Sequence, residues 1–166
     1  MKLIALSQFG KNRGKYFAKV DDGDYEFLNQ WRWSVKIRGH SIYVHRTDIS
    51  DGCRRHIYMH LLILSAPTEM DVDHKDGDGL NNQRSNIRLC THTQNMGNRK
   101  RQKSATSKYK GLHLSKNKKK WIADIRVDGR TQHIGAFKTE ENAAIAYNIY
   151  AEKYHGEFAR YNTANA

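Results

Sequence analysis

The sequence predicts an α+β protein built from two small modules, and three observations carry that expectation. Short stretches that alternate apolar and polar residues, separated by polar turns, fill residues 1–57. A second set of such stretches, between Lys110 and Phe137, leads into one amphipathic helix. Between Arg99 and Lys120 stand ten Lys or Arg residues and no Asp or Glu, a break in composition whose first part reads as a linker. The modules are therefore expected at 1–98 and 107–166, joined by a basic linker over 99–106.

Along the first module, Tyr16 to Val20, Ser34 to Arg38 and Ser41 to His45 alternate and read as strands. Asp21-Asp22-Gly23 and Arg38-Gly39-His40 are turn signals. Trp31 and Trp33, two apart, would share one face of a strand and point into a core. Tyr58 to Leu64 is a compact apolar segment stopped by Pro67, a short helix or strand. A short strand then ends at Asp73-His74, followed by a polar loop, a strand with Ile87 and Leu89, and a helix carrying Asn95.

In the second module Lys110 to Ser115, Lys120 to Val127 and Thr131 to Phe137 read as three strands, with Asp128-Gly129 as a hairpin turn. Thr139 is a plausible N-cap, with Glu140 and Glu141 in the first helical turn. Ala143, Tyr147, Tyr150, Ala151 and Tyr154 fall on one helical face, and Gly156 can end the helix. Trp121, Ala123 and Ile125 alternate with Asp124 and Arg126, which leaves the latter pair on the exposed side of the sheet.

With 166 residues the chain holds one ordinary domain or two small ones. A formal charge of +12 calls for a polyanionic partner, and nucleic acid is the default. A membrane is not expected as partner: no apolar run approaches a spanning length, and the basic segments lack a continuous apolar face. The apolar patch from Met1 to Leu6 is too short for a signal peptide. Cys53 and Cys90 form no Cys-x-x-Cys pair, so structural zinc is not expected and a reducing cytoplasm is the natural compartment. No long apolar seam is visible, and a monomer is expected over a dimer.

The densest chemistry lies in Val72-Asp73-His74-Lys75-Asp76-Gly77-Asp78-Gly79-Leu80-Asn81-Asn82, then Ser85-Asn86-Ile87-Arg88-Leu89 and Gln94-Asn95-Met96-Gly97-Asn98. Phosphodiester hydrolysis needs an activated water, a neutralised phosphate and a stabilised leaving oxygen. His74 has the intrinsic pKa to take a proton from water near neutral pH. Asp73 offers a hard oxygen to Mg²⁺ or Mn²⁺ and Asn95 an amide oxygen, leaving positions open for phosphate and water. Taken alone, His74 would read as an ordinary hydrogen-bonded histidine; the combination reverses that reading. Asp76 and Asp78 lack the acidic ladder of an EF-hand. Asn81 and Asn82 read as turn-formers or loop braces, His92 as a cap or alternative ligand, and His60 as packing beneath the site. Arg84, Arg88 and Arg99 flank the segment and could clamp phosphate.

Residues 58–99 resemble the HNH nuclease family, in the variant that ends in Asn. The resemblance implies a ββα-metal fold in which His74 is the general base, Asp73 and Asn95 hold the metal, and Asn86 braces the loop so that the histidine is oriented. Adjacent residues of a regular strand face opposite sides, so Asp73 and His74 can serve one site only at a strand's end. Val20-Asp21-Asp22-x-Asp24-Tyr25, Trp31-x-Trp33 and Ile57-Tyr58-Met59-His60 resemble the leader of phage and mobile-element HNH proteins.

The second module resembles the AP2 DNA-binding domain through Ser107-x-Tyr109-Lys110-Gly111-Leu112, Trp121-Ile122-Ala123-Asp124-Ile125, Ile134-Gly135-Ala136-Phe137 and Ala143-Ala144-x-Ala146-Tyr147. The resemblance implies a three-stranded sheet in the major groove of double-stranded DNA. Its reading face would present Lys110, His113, Ser115, Asp124, Arg126, Thr131 and His133, several of them His, Ser or Thr where plant members have Arg or Trp. Lys100 and Arg101 in the linker would track the phosphate backbone. Together the modules suggest a homing-type endonuclease that nicks DNA as a monomer. An inactive DNA-binding regulator, a dimeric restriction-type enzyme and a ribonuclease or single-strand nuclease are the alternatives.

Overall fold

The structure is a computed structural model, which describes residues 1–7, 11–39, 41–101 and 106–163. Two compact units divide the chain between Thr91 and His92. Its mixture of small sheets and short helices is α+β, as the sequence predicts.

The first unit opens with an antiparallel ribbon of β1 (Lys2–Ala5) and β2 (Phe17–Val20). The ribbon's alternation works as expected: Ile4, Ala18 and Val20 are buried while Lys2 and Lys19 face out. Helix α1 (Asp22–Leu28) comes next, where the sequence suggested only a polar turn. Seven residues are too few for helical periodicity to show, yet Asp22 and Asp24 in the first turn and buried Leu28 favour the helix. A three-stranded antiparallel sheet follows, ordered β3 (Ser34–Arg38), β4 (Ser41–Asp48), β5 (Arg55–Tyr58). In the turn signal at 38–40, His40 lies outside the described residues.

Trp33 is core, with its indole N–H donated to the Leu28 carbonyl at 2.8 Å. It reaches that position from the connection after α1: neither Trp31 nor Trp33 lies in a strand. Their rings meet edge to face instead, with centroids 6.3 Å apart. The apolar segment before Pro67 resolves as helix α2 (Met59–Ile63), burying Met59, His60 and Ile63. The unit closes with the ribbon β6 (Asp71–His74) and β7 (Ile87–Cys90), whose Val72 and Ile87 join one core with Leu28, Trp33, Val44 and Met59.

The second unit begins with helix α3 (His92–Asn98), so β6, β7 and α3 follow one another along the chain in ββα order. Its sheet is antiparallel, with β9 (Trp121–Val127) between β8 (Leu112–Leu114) and β10 (Arg130–Phe137). One face packs on α4 (Glu140–His155) through Ala123, Ile125, Ala143, Tyr147 and Ala151. Thr139 caps that helix, accepting the Asn142 N–H at 3.2 Å. Asn162 fastens the chain end by accepting the Lys110 N–H at 2.7 Å and donating to the Lys110 carbonyl at 3.1 Å. Of the expected linker, residues 102–105 lie outside the described residues.

Candidate active site

Asp73 and His74 are the last two residues of β6, at the strand end where both can serve one site. Asp73 is 4% exposed. A buried carboxylate needs a counter-charge, and its cross-strand partner Arg88 supplies one. The Arg88 guanidinium donates to Asp73 Oδ2 from Nε at 3.0 Å and from Nη2 at 2.9 Å.

After His74 the chain reverses sharply. The His74 carbonyl accepts the N–H of Gly77 at 2.8 Å, and Gly77 takes φ +69°, a conformation that suits glycine. Gly79 is needed for another reason. A Cβ there would lie 1.9 Å from the backbone oxygen of Ile42, so the loop crosses β4 at a distance only glycine permits.

Asn86, just before β7, latches this loop. Its Oδ1 accepts from the Asp76 N–H at 3.2 Å, and its Nδ2 donates to Asp76 Oδ1 at 3.0 Å and to the Asn81 carbonyl at 2.8 Å. Burial pushes the Asp76 carboxyl upward, but donors from Asp78, Asn81 and Asn86 outweigh it and hold the group below its usual range. Asp76 is thus an ionised hub that draws the loop together.

His74 is 6% exposed. Burial holds its imidazole below the ordinary histidine range, opposed by Asn82 and by the carboxylates of Asp76, Asp73 and Asp78. At neutral pH the ring is therefore neutral, the form a base requires. Beneath it lies His60 of α2, edge to face, with ring centroids 5.0 Å apart and planes at 77°. Burial, then the neighbouring His74, pulls the His60 pKa down to about 3.

Three arginines were expected to meet phosphate, and two have partners within the first unit. Arg84 donates to Asp24 from Nε and Nη2, both at 2.8 Å, while its backbone N–H is taken by Asp21 at 2.8 Å. Arg88 is committed to Asp73 as described. Arg84 thereby ties the loop to α1, which a sequence reading confined to the motif could not show. Asn82, which the sequence offers only as a turn-former or loop brace, is fully buried, with Oδ1 3.4 Å from Nε2 of His74.

In the second unit Asn95 sits on α3, and Arg99 and Lys100 are exposed just after it. Arg101 donates to the Ser107 carbonyl at 3.1 Å. On the sheet, register brings five of the seven expected residues to the face averted from α4. Thr131 pairs with Arg126 and His133 with Asp124, and His133 Nδ1 lies 2.9 Å from Asp124 Oδ1. His113 Nδ1 approaches the other oxygen, Oδ2, at 3.7 Å. The remaining two depart from that face. Lys110 precedes β8 and gives its ammonium to the Gly97 carbonyl, where burial and the nearby Arg160 and Arg99 pull its pKa to about 8. Ser115 closes the turn between β8 and β9, accepting the Lys120 N–H at 3.1 Å and donating to Asn117 at 2.7 Å.

Among the described residues, no group of three or more His, Cys, Asp or Glu side chains is placed to hold a metal ion. The buried carboxylate of Asp73 is a hard oxygen donor, of the kind that suits an ion keeping water and phosphate in its shell, such as Mg²⁺ or Mn²⁺, and not the sulfur and nitrogen set of structural zinc. Cys90 is no competing ligand: burial, with Asp73 and Asp71 nearby, pushes its thiol up to about 12.

Comparison with known proteins agrees with this geometry. A family model described as HNH endonuclease matches residues 65–97. An uncharacterized HNH endonuclease, L560 of Acanthamoeba polyphaga mimivirus, is 34% identical over 163 residues, covering 96% of this chain and 81% of the viral protein. Protein 3.8 of Escherichia phage T7 is 36% identical over 90 residues, 54% of this chain and 74% of the phage protein. A shorter similarity, 38% over 60 residues, links 35% of the chain to 33% of the ethylene-responsive transcription factor ERF024 of Arabidopsis thaliana. No solved structure matches. With the loop, its latch and the near full-length viral relative in agreement, the chain belongs to the HNH endonuclease family.

Proposed function

We propose that this protein is a divalent-metal-dependent endonuclease that nicks double-stranded DNA as a monomer, with His74 as general base. The observation that carries the reading is a buried His74 beside Asp73 at the end of β6, at the mouth of a loop latched by Asn86, with burial holding its pKa below the ordinary histidine range. His74 takes a proton from water; the water oxygen bonds to phosphorus as the bond to the 3′ oxygen breaks. Asp73 would hold Mg²⁺ or Mn²⁺, with Asn95 as the second donor that the motif supplies, and the ion would neutralise charge on the phosphate and the departing oxygen. Asn86 acts through His74 as a positioning residue. Arg88 holds and aims the Asp73 carboxylate.

The division of labour we propose places cleavage in residues 1–98 and DNA holding in residues 107–166, joined by the basic stretch 99–106. Charge supports it: residues 107–166 carry 11 Lys and Arg against 6 Asp and Glu, net +5, and the stretch 99–106 adds +4, which leaves +3 for residues 1–98. The AP2-like sheet, with His113, Asp124, Arg126, Thr131 and His133 on one face, would enter a groove, and Arg99, Lys100 and Arg101 would follow the backbone. Tethering a weakly specific nuclease to such a reader raises its effective concentration at chosen sites, as a homing-type role requires.

Supercoiled plasmid incubated with Mg²⁺ or Mn²⁺ tests this. Open circles that EDTA prevents are the expected product. Linear product would show paired sites and a dimer, whereas tight duplex binding without cleavage under any metal would replace the nuclease with a DNA-binding regulator.

A further inference from the structure

We infer that Lys110 is a positioning residue for Asn95: its ammonium clamps the last turn of α3, so the fold of the second unit sets the proposed metal donor. The inference rests on the reading of Asn95 as a donor. It means that cleavage depends on the second unit for more than holding DNA.

Within the second unit α3 packs on α4 and on the 3₁₀ turn Gly156–Phe158. Gly97 makes that approach possible: a Cβ there would stand 3.0 Å from Cγ of His155 and 3.1 Å from the Phe158 backbone oxygen. Successive helical residues turn by about 100°, so Asn95 lies about 200° around α3 from Gly97, on the side turned away from α4. The Gly97 carbonyl belongs to the last turn, where carbonyls lack intrahelical partners and a cation is favoured. Lys110 supplies that cation. Its backbone is pinned, since Asn162 accepts its N–H at 2.7 Å and donates to its carbonyl at 3.1 Å. Asn148 of α4 holds Asn162 in turn, accepting its N–H at 2.7 Å and donating to its carbonyl at 2.8 Å. Gly111, the next residue, lies so close to Tyr147 that a Cβ would stand 2.3 Å from the ring. A polar chain thus runs from α4 through Asn162 and Lys110 to α3. Burial, which pulls the Lys110 pKa to about 8, shows how far the ammonium leaves water to reach that carbonyl.

The test uses full-length protein without DNA, with Mn²⁺ alone as the probe. Amide hydrogen exchange reads the order of α3, and electron paramagnetic resonance of free Mn²⁺ reads binding. Lys110→Met keeps most of the side chain and removes the donor. The amides of the last turn of α3 should then lose about tenfold in protection, and Mn²⁺ should bind about tenfold more weakly. Asn95→Ala should weaken Mn²⁺ binding to a similar degree. Unaltered α3 protection or unaltered Mn²⁺ affinity in Lys110→Met overturns the inference, as does unaltered affinity in Asn95→Ala or a wild type that binds no Mn²⁺. If Lys110→Met fails to fold, Gly97→Ala decides by the same two readings, because its Cβ pushes α3 away from His155. A wild type that binds Mn²⁺ and responds to these variants, yet never nicks DNA, would strike the nuclease reading and leave the positioning of Asn95 standing.

Discussion

Replacing His60 by Phe isolates the cost of keeping an unprotonated imidazole beneath the base. The His60 pKa falls from 6.5 in the open chain to about 3 in the fold. Between those values the unfolded chain binds a proton that the folded one refuses, so stability is full above pH 6.5 and falls as pH drops. At pH 5 the loss is about 2 kcal/mol, from roughly 1.5 pH units at about 1.36 kcal/mol each. Phe keeps a ring against His74 and cannot titrate. His60 Nδ1 has no hydrogen-bond partner among the described residues, so that contact costs nothing to remove. The assay is urea unfolding at pH 7.5 and pH 5.0, read from Trp31 and Trp33 in a Trp121→Phe background so that the first unit alone reports. Burial also depresses His45 and His74, so some acid sensitivity remains in the variant. The expected result is that His60→Phe shrinks the gap between the two pH values by about 2 kcal/mol. An unchanged gap would refute the neutral, buried placement of His60.

Gly79→Ala drives a Cβ into the Ile42 backbone oxygen, so the loop must shift; a loss of about 2–3 kcal/mol by urea unfolding is expected, together with slower nicking. Lys110 has its ammonium pulled to about 8, against 10.5 in the open chain, so the unfolded state holds the extra proton and stability rises with pH between those values. The second unit should gain about 1 kcal/mol from pH 7.5 to pH 9, a gain that Lys110→Met abolishes. Tyr147, pushed up to about 12 by burial, reverses the trend above pH 10. Arg126→Ala should weaken duplex binding and lower the salt slope by about 1, whereas Ser115→Ala, in the turn, should leave affinity unchanged.

Local patterns made most of this legible. Alternation gave β2, β3, β4 and the strands of the second sheet, because each buries one face and leaves the other wet. Thr139 and Gly156 marked the ends of α4 through chemistry that acts within one turn. The motif located Asp73, His74 and Asn86 by spacing. What escaped was non-local. Helix α1 is too short for a period, and its value lies in Asp24, which meets Arg84 across 60 residues of chain. Asn82 looked like a turn residue because nothing in its neighbours announces that Lys19 stitches it beneath His74. Lys110 lay in an alternating stretch, yet its strand starts two residues later and its ammonium turns to Gly97.

The most direct measurement of the central claim is single-turnover nicking by His74→Ala, with and without added imidazole, beside the wild type. If His74 takes the proton from water, the variant loses about 10²–10⁴-fold in rate and imidazole restores part of it without altering DNA affinity. A variant that nicks at the wild-type rate would contradict the account.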